Sequence, residues 1–351
     1  MQKYTCKTCD AELYWDSSVG ALKCEYCDSV FQPSDFMDES MQSQKGETAD
    51  KYDVATDESD SLDLVMYKCT ECGAEIITAK GTVATTCAYC NRAITLSNKM
   101  TGAFKPASLI PFNVNKKEAK EIFKRYAKNS FLTPKEFQDD KVLTKMKGLY
   151  VPFYLHTFTD NADAELNCEN TTTRRRGDDK LIIHHKYKVR MKANGLFSKI
   201  PTDALEKMDN QLMDNIEPFD YGHLKEFNPA YMAGFYAEQY NETSSQLFPR
   251  AHERAVDAMK KEMIKSAGYE STSIVMFDDN ISDYDSEYTM LPVWIFNAEY
   301  KNKKYTFAMN GDTGKITGKL PISIPKMLAL IGTSFLGTQI IALIFRLLEV
   351  M

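Results

Sequence analysis

Eight of the nine cysteines fall into two matching sets, and this spacing constrains the fold more than any other feature. Cys6 and Cys9 form one CxxC, and Cys24 and Cys27 a second. Cys69, Cys72, Cys87 and Cys90 repeat the pattern, with fourteen residues between the pairs in each set. A CxxC on a tight turn aims two sulfurs at one point, and two such turns complete a tetrahedral thiolate site. The residue after each second cysteine needs left-handed backbone, which Gly, Asn and Asp tolerate best. Asp10, Asp28, Gly73 and Asn91 stand there. AELYWDSSVGALK and AEIITAKGTVATT read as strand, turn, strand, with Gly20 and Gly81 in the turns.

Two Zn2+ ions are therefore expected as cofactors. Four thiolates leave no position for a reacting water, so both sites are expected to be structural, each worth about 10–16 kcal/mol of coupled binding and folding energy. No secretory signal precedes the first CxxC, which argues against disulfides and for a reducing compartment. Cys168 is left over as an ordinary thiol.

The net charge of −6 excludes a global attraction to nucleic acid. Residues 1–32 form ribbon 1, with three lysines against five acids. Residues 33–64 carry ten acidic residues and two lysines, the composition of a flexible linker, so the ribbons are expected to move relative to each other. Ribbon 2 spans 65–98. Residues 99–322 read as an α+β domain of two helix-plus-antiparallel-sheet repeats, about 105–200 and 230–320. Their echo is LYVPFYLHTF against MLPVWIFNAE. Helices are expected at 116–128 behind Asn115, at 203–216, and from Pro249 to Gly268. Short strands are expected at 162–167 and 181–191, and from SIVMF, TMLPVWIFNAEY and KKYTFAMN, with a turn at GDTG.

Residues 327–345 contain no charge over nineteen positions, about the length that crosses a bilayer. Lys315, Lys319 and Lys326 outnumber Arg346, which places the N-terminal domains in the cytoplasm of a single-pass cell-membrane protein. A helix buried in a cytoplasmic protein is the alternative. A basic run includes Arg174, Arg175, Arg176, Lys186, Lys188 and Arg190, candidates for an anionic ligand such as lipid or a nucleic-acid phosphate. Alternation along IIHHKYKVRMK puts many of these cations on one strand face.

The five histidines form no HExxH, and GDTGKI lacks the spacing and the hydroxyl of a P-loop. FDDNISDYDSE lacks the glycine and final glutamate of a calcium loop. No catalytic residue is assigned, and the chain is not expected to be an enzyme.

The paired ribbons, IEPFDYGHLKEFNPAYMAGFYAEQY, MLPVWIF, YTFAMNGDTGKITG and the apolar tail resemble a group of bacterial proteins containing a zinc ribbon of the transcription factor IIB type. Some members are described as related to a replication-restart helicase. The resemblance implies zinc ligands at the eight paired cysteines. This chain lacks the P-loop and the length that a helicase motor requires. The expected function is a non-catalytic zinc adaptor at the cytosolic membrane face, binding a protein partner. The alternative is a nucleic-acid-binding protein of transcription or replication.

Overall fold

A computed structural model describes residues 4–36, 64–68, 75–79, 85–86, 93–94, 106–138, 146–177, 179–238, 240–301 and 303–349. The N-terminal part is a four-stranded antiparallel sheet of β1 (Tyr4–Thr5), β2 (Glu12–Asp16), β3 (Ala21–Cys24) and β4 (Val30–Phe31). Gly20 closes the β2–β3 turn at φ +61°, in the left-handed region where a Cβ is disfavoured. Beyond β4, the short turn Pro33–Phe36 folds back, and Phe36 packs edge-on against Tyr4 and Phe31. The ribbon unit therefore reaches residue 36, four residues past the expected boundary.

Further strands are β5 (Leu64–Lys68), β6 (Glu75–Ala79), β7 (Thr85–Thr86), β8 (Ala93–Ile94) and β9 (Ser108–Leu109). Helix α1 (Lys116–Asn129) follows a capping box in which Asn115 and Glu118 satisfy each other's backbone N–H. Ala119, Phe123 and Ala127 form its buried stripe.

The body is built on two strands of 30 residues each, β10 (Lys147–Arg176) and β14 (Ser271–Tyr300). Strand β11 (Asp179–Asp203) returns from β10 as a hairpin, and β15 (Lys303–Asn310) returns from β14. The short strands expected at 162–167 and 181–191 are parts of these long ones, and 203 ends a strand rather than starting a helix. Helix α2 covers only Asn210–Ile216, capped by Asp209. Between them in sequence and the next helix lie β12 (Lys225–Glu226) and β13 (Tyr236–Glu238). Helix α3 (Ser244–Ala267) begins at a Thr243–Gln246 capping box, with Pro249 inside it and Gly268 as its left-handed C-cap. Strand β16 (Ile316–Gly318) and helix α4 (Ile324–Glu349) complete the chain.

β10 and β14 run antiparallel at the sheet centre, with Val151 opposite Leu291. Pro152 and Pro292 each lie one residue beyond that pair, and the pairing around them repeats at an offset of 140 residues. Leu149 and Tyr150 pair in parallel with β13; Thr289 and Met290 pair in parallel with β9. Phe153 opens the ladder to β11, and Val293 the ladder to β15. The carbonyl of Pro152 accepts from Ala204 N at 2.9 Å, and that of Pro292 from Gly311 N at 2.8 Å. The two strand motifs that echo in sequence are thus neighbours related by a local two-fold axis.

Both faces of this centre are covered. On one, Phe112, Phe123, Tyr150, Trp294, Phe296 and Phe307 form an aromatic core beneath α1. On the other, Leu149, Val151, Phe153, Leu291, Val293 and Ile295 meet Met213 and Ile216 of α2. Full burial contributes roughly 1.5–3 kcal/mol per large apolar side chain. Beyond Phe158 the described residues cover one face, with α3, and burial along β10 alternates to residue 168. Ala162, Ala164, Leu166 and Cys168 lie against Met259 and Met263. At the change of regime both flanking strands bulge, placing Lys199 at φ 57° and Asp283 at φ 53°.

Candidate metal centre

The strands β2 and β3 bring the two CxxC turns of ribbon 1 together. The Sγ atoms of Cys9 and Cys27 are 3.4 Å apart, and those of Cys6–Cys27 and Cys9–Cys24 are 3.5 Å apart. All four sulfurs lie within 4.8 Å of one another, and none is in a disulfide. Four thiolates at about 2.3 Å from zinc stand about 3.8 Å apart, so the set fits a tetrahedral ion with little adjustment. Each turn has the same backbone: Asp10 N donates to Cys6 O, and Asp28 N to Cys24 O. Asp10 and Asp28 take φ 59° and 57°, the left-handed positions their residue types indicate. Cys27 Sγ lies 3.1 Å from the Ser29 hydroxyl. That hydroxyl and the Ser29 amide favour the thiolate and bring the Cys27 thiol down to about 6, whereas at Cys9 the favourable Ala11 amide is outweighed by the Cys27 and Cys24 sulfurs and by burial, which push that thiol up to about 12. A deprotonated sulfur is the form that binds metal. Cys69, Cys72, Cys87 and Cys90 lie outside the described residues.

Ribbon 1 is seated on the body. Trp15 Nε1 donates to Phe112 O at 2.9 Å, and Trp15 N to Ala233 O at 3.2 Å. Asn228 Nδ2 donates to Pro33 O at 3.0 Å. Tyr14 lies so close to Gly234 that a Cβ there would come within 2.9 Å of its ring. The four cysteines therefore lie in a module seated on the body's surface, so ribbon 1 is held there; motion of the ribbons relative to each other, expected from the acidic linker, involves residues 37–63, outside the described residues.

The basic run lies on the long hairpin. Register puts Lys186, Lys188, Arg190 and Lys192 on the face of β11 away from α3. Acidic residues of β10 stand beside them. Arg190 pairs with Glu165, Lys192 with Asp163 at 3.3 Å, and His184 Nδ1 lies 2.5 Å from Glu169. Arg174, Arg175 and Arg176 are at the far end of the hairpin, where alternation turns Arg175 to one face and its two neighbours to the other. The six candidate cations line a ladder and do not converge on one point.

Helix α4 leaves the body at the opposite end of β10. Ser323 N donates to Leu132 O, and Lys326 Nζ to Thr133 O at 2.7 Å. The adjoining Phe137 packs on Tyr300, Tyr305 and Phe307, near the start of β10. Helix α4 is the one described helix long and apolar enough to cross a membrane, and none of residues 324–341 is buried. Thr333 and Thr338 donate their hydroxyls to the carbonyls of Leu330 and Phe335, which satisfies them within the helix.

A second group of ligating side chains, Asp160, His252 and Asp279, carries no motif in the sequence. Its members come from three elements and meet only through the β10–β14 register and the seating of α3.

The chain is 35% identical over 254 residues to the uncharacterized protein YdjG of Bacillus subtilis (strain 168), an overlap of 71% of this chain and 74% of the relative. The chain belongs to the family of that protein. No family model and no solved structure matches the chain, so neither a transcription factor IIB type for the ribbon nor an activity for the family comes from these comparisons.

Proposed function

We propose that this chain is a non-catalytic adaptor, braced by zinc and tethered by α4 to the cytosolic face of a membrane, whose long hairpin binds a protein partner. The observation that carries the reading is the exposure of α4. A core helix hides its apolar stripe, whereas Leu328, Ile331, Phe335, Leu336 and Ile340 are all more than half exposed. The cysteine set supports a bracing role, since four thiolates fill a zinc shell. The local two-fold axis supports descent of the body from a duplicated unit. The hairpin supports a partner site away from the bilayer, because its tip and the root of α4 lie at opposite ends of strands that extend about 3.3 Å per residue.

Expression of the full chain and of a chain ending at Ser323 tests the tether. The full chain is expected in the membrane fraction, released by detergent and not by salt, and the shortened chain in the soluble fraction. A full chain that is soluble without detergent overturns the reading.

The cation column of β11 favours a second reading, nucleic-acid binding. A shift assay discriminates. Binding that falls steeply with salt and weakens when Arg174, Arg175 and Arg176 become Ala supports it. The acidic column beside those cations speaks against it.

A further inference from the structure

Asp160 sits mid-way along β10, fully buried, and among the described residues no hydrogen bond of good geometry reaches either carboxylate oxygen, with only the Asn280 backbone and His252 near enough to offset its charge. An unpartnered buried carboxylate is costly and calls for a compensating charge. Two groups share its pocket. His252 of α3 brings Nε2 to 3.6 Å from Asp160 Oδ2 and to 2.8 Å from Asp279 Oδ2. That Nε2 is itself buried without a partner in hydrogen-bonding geometry. Asp279 lies on β14, opposite Ala162. The three ligand atoms fall within 4.8 Å of one another. Phe248, one helical turn before His252, stacks on its imidazole with centroids 5.9 Å apart, and Phe158 meets it edge-on. These rings fix the imidazole plane, and its donor nitrogen faces both carboxylates.

We propose that Asp160, His252 and Asp279 bind a divalent first-row transition-metal ion, of the Zn2+ or Mn2+ class, that clamps α3 to the two long strands. Charge and geometry support this together. A proton on His252 offsets one of the two carboxylates, whereas a divalent ion beside a neutral imidazole offsets both. Donors about 2.1 Å from a common ion, at angles of about 85–120°, stand about 2.8–3.6 Å apart, the range in which the 3.6 and 2.8 Å separations from His252 Nε2 fall. The mixed donor set selects the metal class: imidazole suits zinc and its neighbours, carboxylates suit manganese, and calcium prefers oxygen alone. The side chains of His252 and Asp279 are 24% and 23% exposed, which leaves an entry path and room for water on the remaining coordination positions. The clamp is distinct from the cysteine site: it joins β10, α3 and β14, none of which supplies a ligand to ribbon 1.

The test is a Mn2+ titration of the full-length, detergent-solubilised chain carrying only its thiolate-bound zinc, with weakly held zinc removed beforehand, followed by loss of the free-ion electron paramagnetic resonance signal. Thiolate sites holding zinc do not exchange it for manganese. One equivalent of Mn2+ is expected per chain, with binding at least tenfold weaker in His252→Ala and in Asp279→Asn. Cysteine-bound zinc should stay unchanged in both variants. The melting temperature of the parent chain should rise with Mn2+ or added Zn2+, and that of the variants should not. Asp279→Asn lies at the partly exposed side of the group and keeps the test valid if His252→Ala fails to fold. No uptake by the parent chain overturns the proposal and leaves a proton-bridged Asp–His–Asp group. Uptake that survives in a folded variant overturns it equally.

Discussion

Trp15 of the ribbon donates its indole N–H to the carbonyl of Phe112, the residue whose ring lies at the centre of the body's aromatic core. Phe112 stacks on Phe235 with centroids 4.0 Å apart and meets Tyr150 and Trp294 edge-on. A metal bound by the four cysteines would stabilise the body through this contact. Chelation of zinc is expected to lower the melting temperature of the body along with that of ribbon 1. Trp15→Ala should uncouple them, so that the body melts at one temperature with or without chelator. Near-ultraviolet circular dichroism of the core aromatics reports the body separately; equal chelator sensitivity in parent and variant would refute the coupling.

The knuckle backbone gives a sharper test of the cysteine site. Asp28 holds φ 57°, where a β-branched side chain is strained by about 1–2 kcal/mol. Asp28→Val should weaken zinc binding on the order of tenfold. Asp28→Gly should bind zinc as the parent does, because its exposed 3.0 Å contact with Lys23 is worth little. Competition with a chromogenic chelator measures both, and equal affinities for the Val and Gly variants would remove the backbone argument.

Arg250 of α3 carries a second coupling. It donates from Nη1 at 2.8 Å to Asp203, a fully buried carboxylate at the end of β11, and from Nη2 to Asp214 of α2. Arg250→Met leaves the Asp203 charge in the interior, so a loss of about 3–5 kcal/mol in unfolding free energy is expected. Adding Asp203→Asn to that variant should recover a large part of it, since the stranded charge is then gone. Urea unfolding of the single and double variants decides; a double variant no more stable than Arg250→Met would mean the cost comes from lost packing.

Local chemistry was legible in the sequence, and long-range geometry was not. The CxxC spacing of ribbon 1, the Asp10 and Asp28 backbone and the Asn115 cap each depend on a few adjacent residues, and the structure matches them. The long strands were hidden because half of each is open on one face. FDDNISDYDSE looks like a loop by composition, yet alternate residues face α3 and solvent within one strand. The start of α3 was misplaced because Pro249 is a strong local signal, while the Thr243–Gln246 box that sets the boundary lies earlier. Asp160 and His252 are 92 residues apart, and nothing in the spacing announces that they meet. The cations of β11 were placed on one face by alternation, but their acidic partners on β10 depend on a register that the sequence leaves open.

His156 supplies a prediction about acid. It is fully buried between Thr202 Oγ1, 2.8 Å from Nε2, and Tyr284 OH, 3.2 Å from Nδ1. Loss of hydration brings its pKa down to about 4 in the folded chain. In the unfolded chain a histidine titrates near 6.5. Between these values the unfolded state binds the proton and the folded state does not, so stability falls as pH is lowered through that window. The contribution is complete above about pH 6.5 and is lost by about pH 4, on the order of 3 kcal/mol in all. His156→Gln keeps a hydrogen-bonding side chain and has no such titration. The stability difference between parent and variant should therefore shift against the parent from pH 7 to pH 4.5, while carboxylate titrations common to both cancel. Urea midpoints at pH 7, 5.5 and 4.5 measure this, and a difference that stays constant across the three would show that His156 does not resist protonation in the folded state.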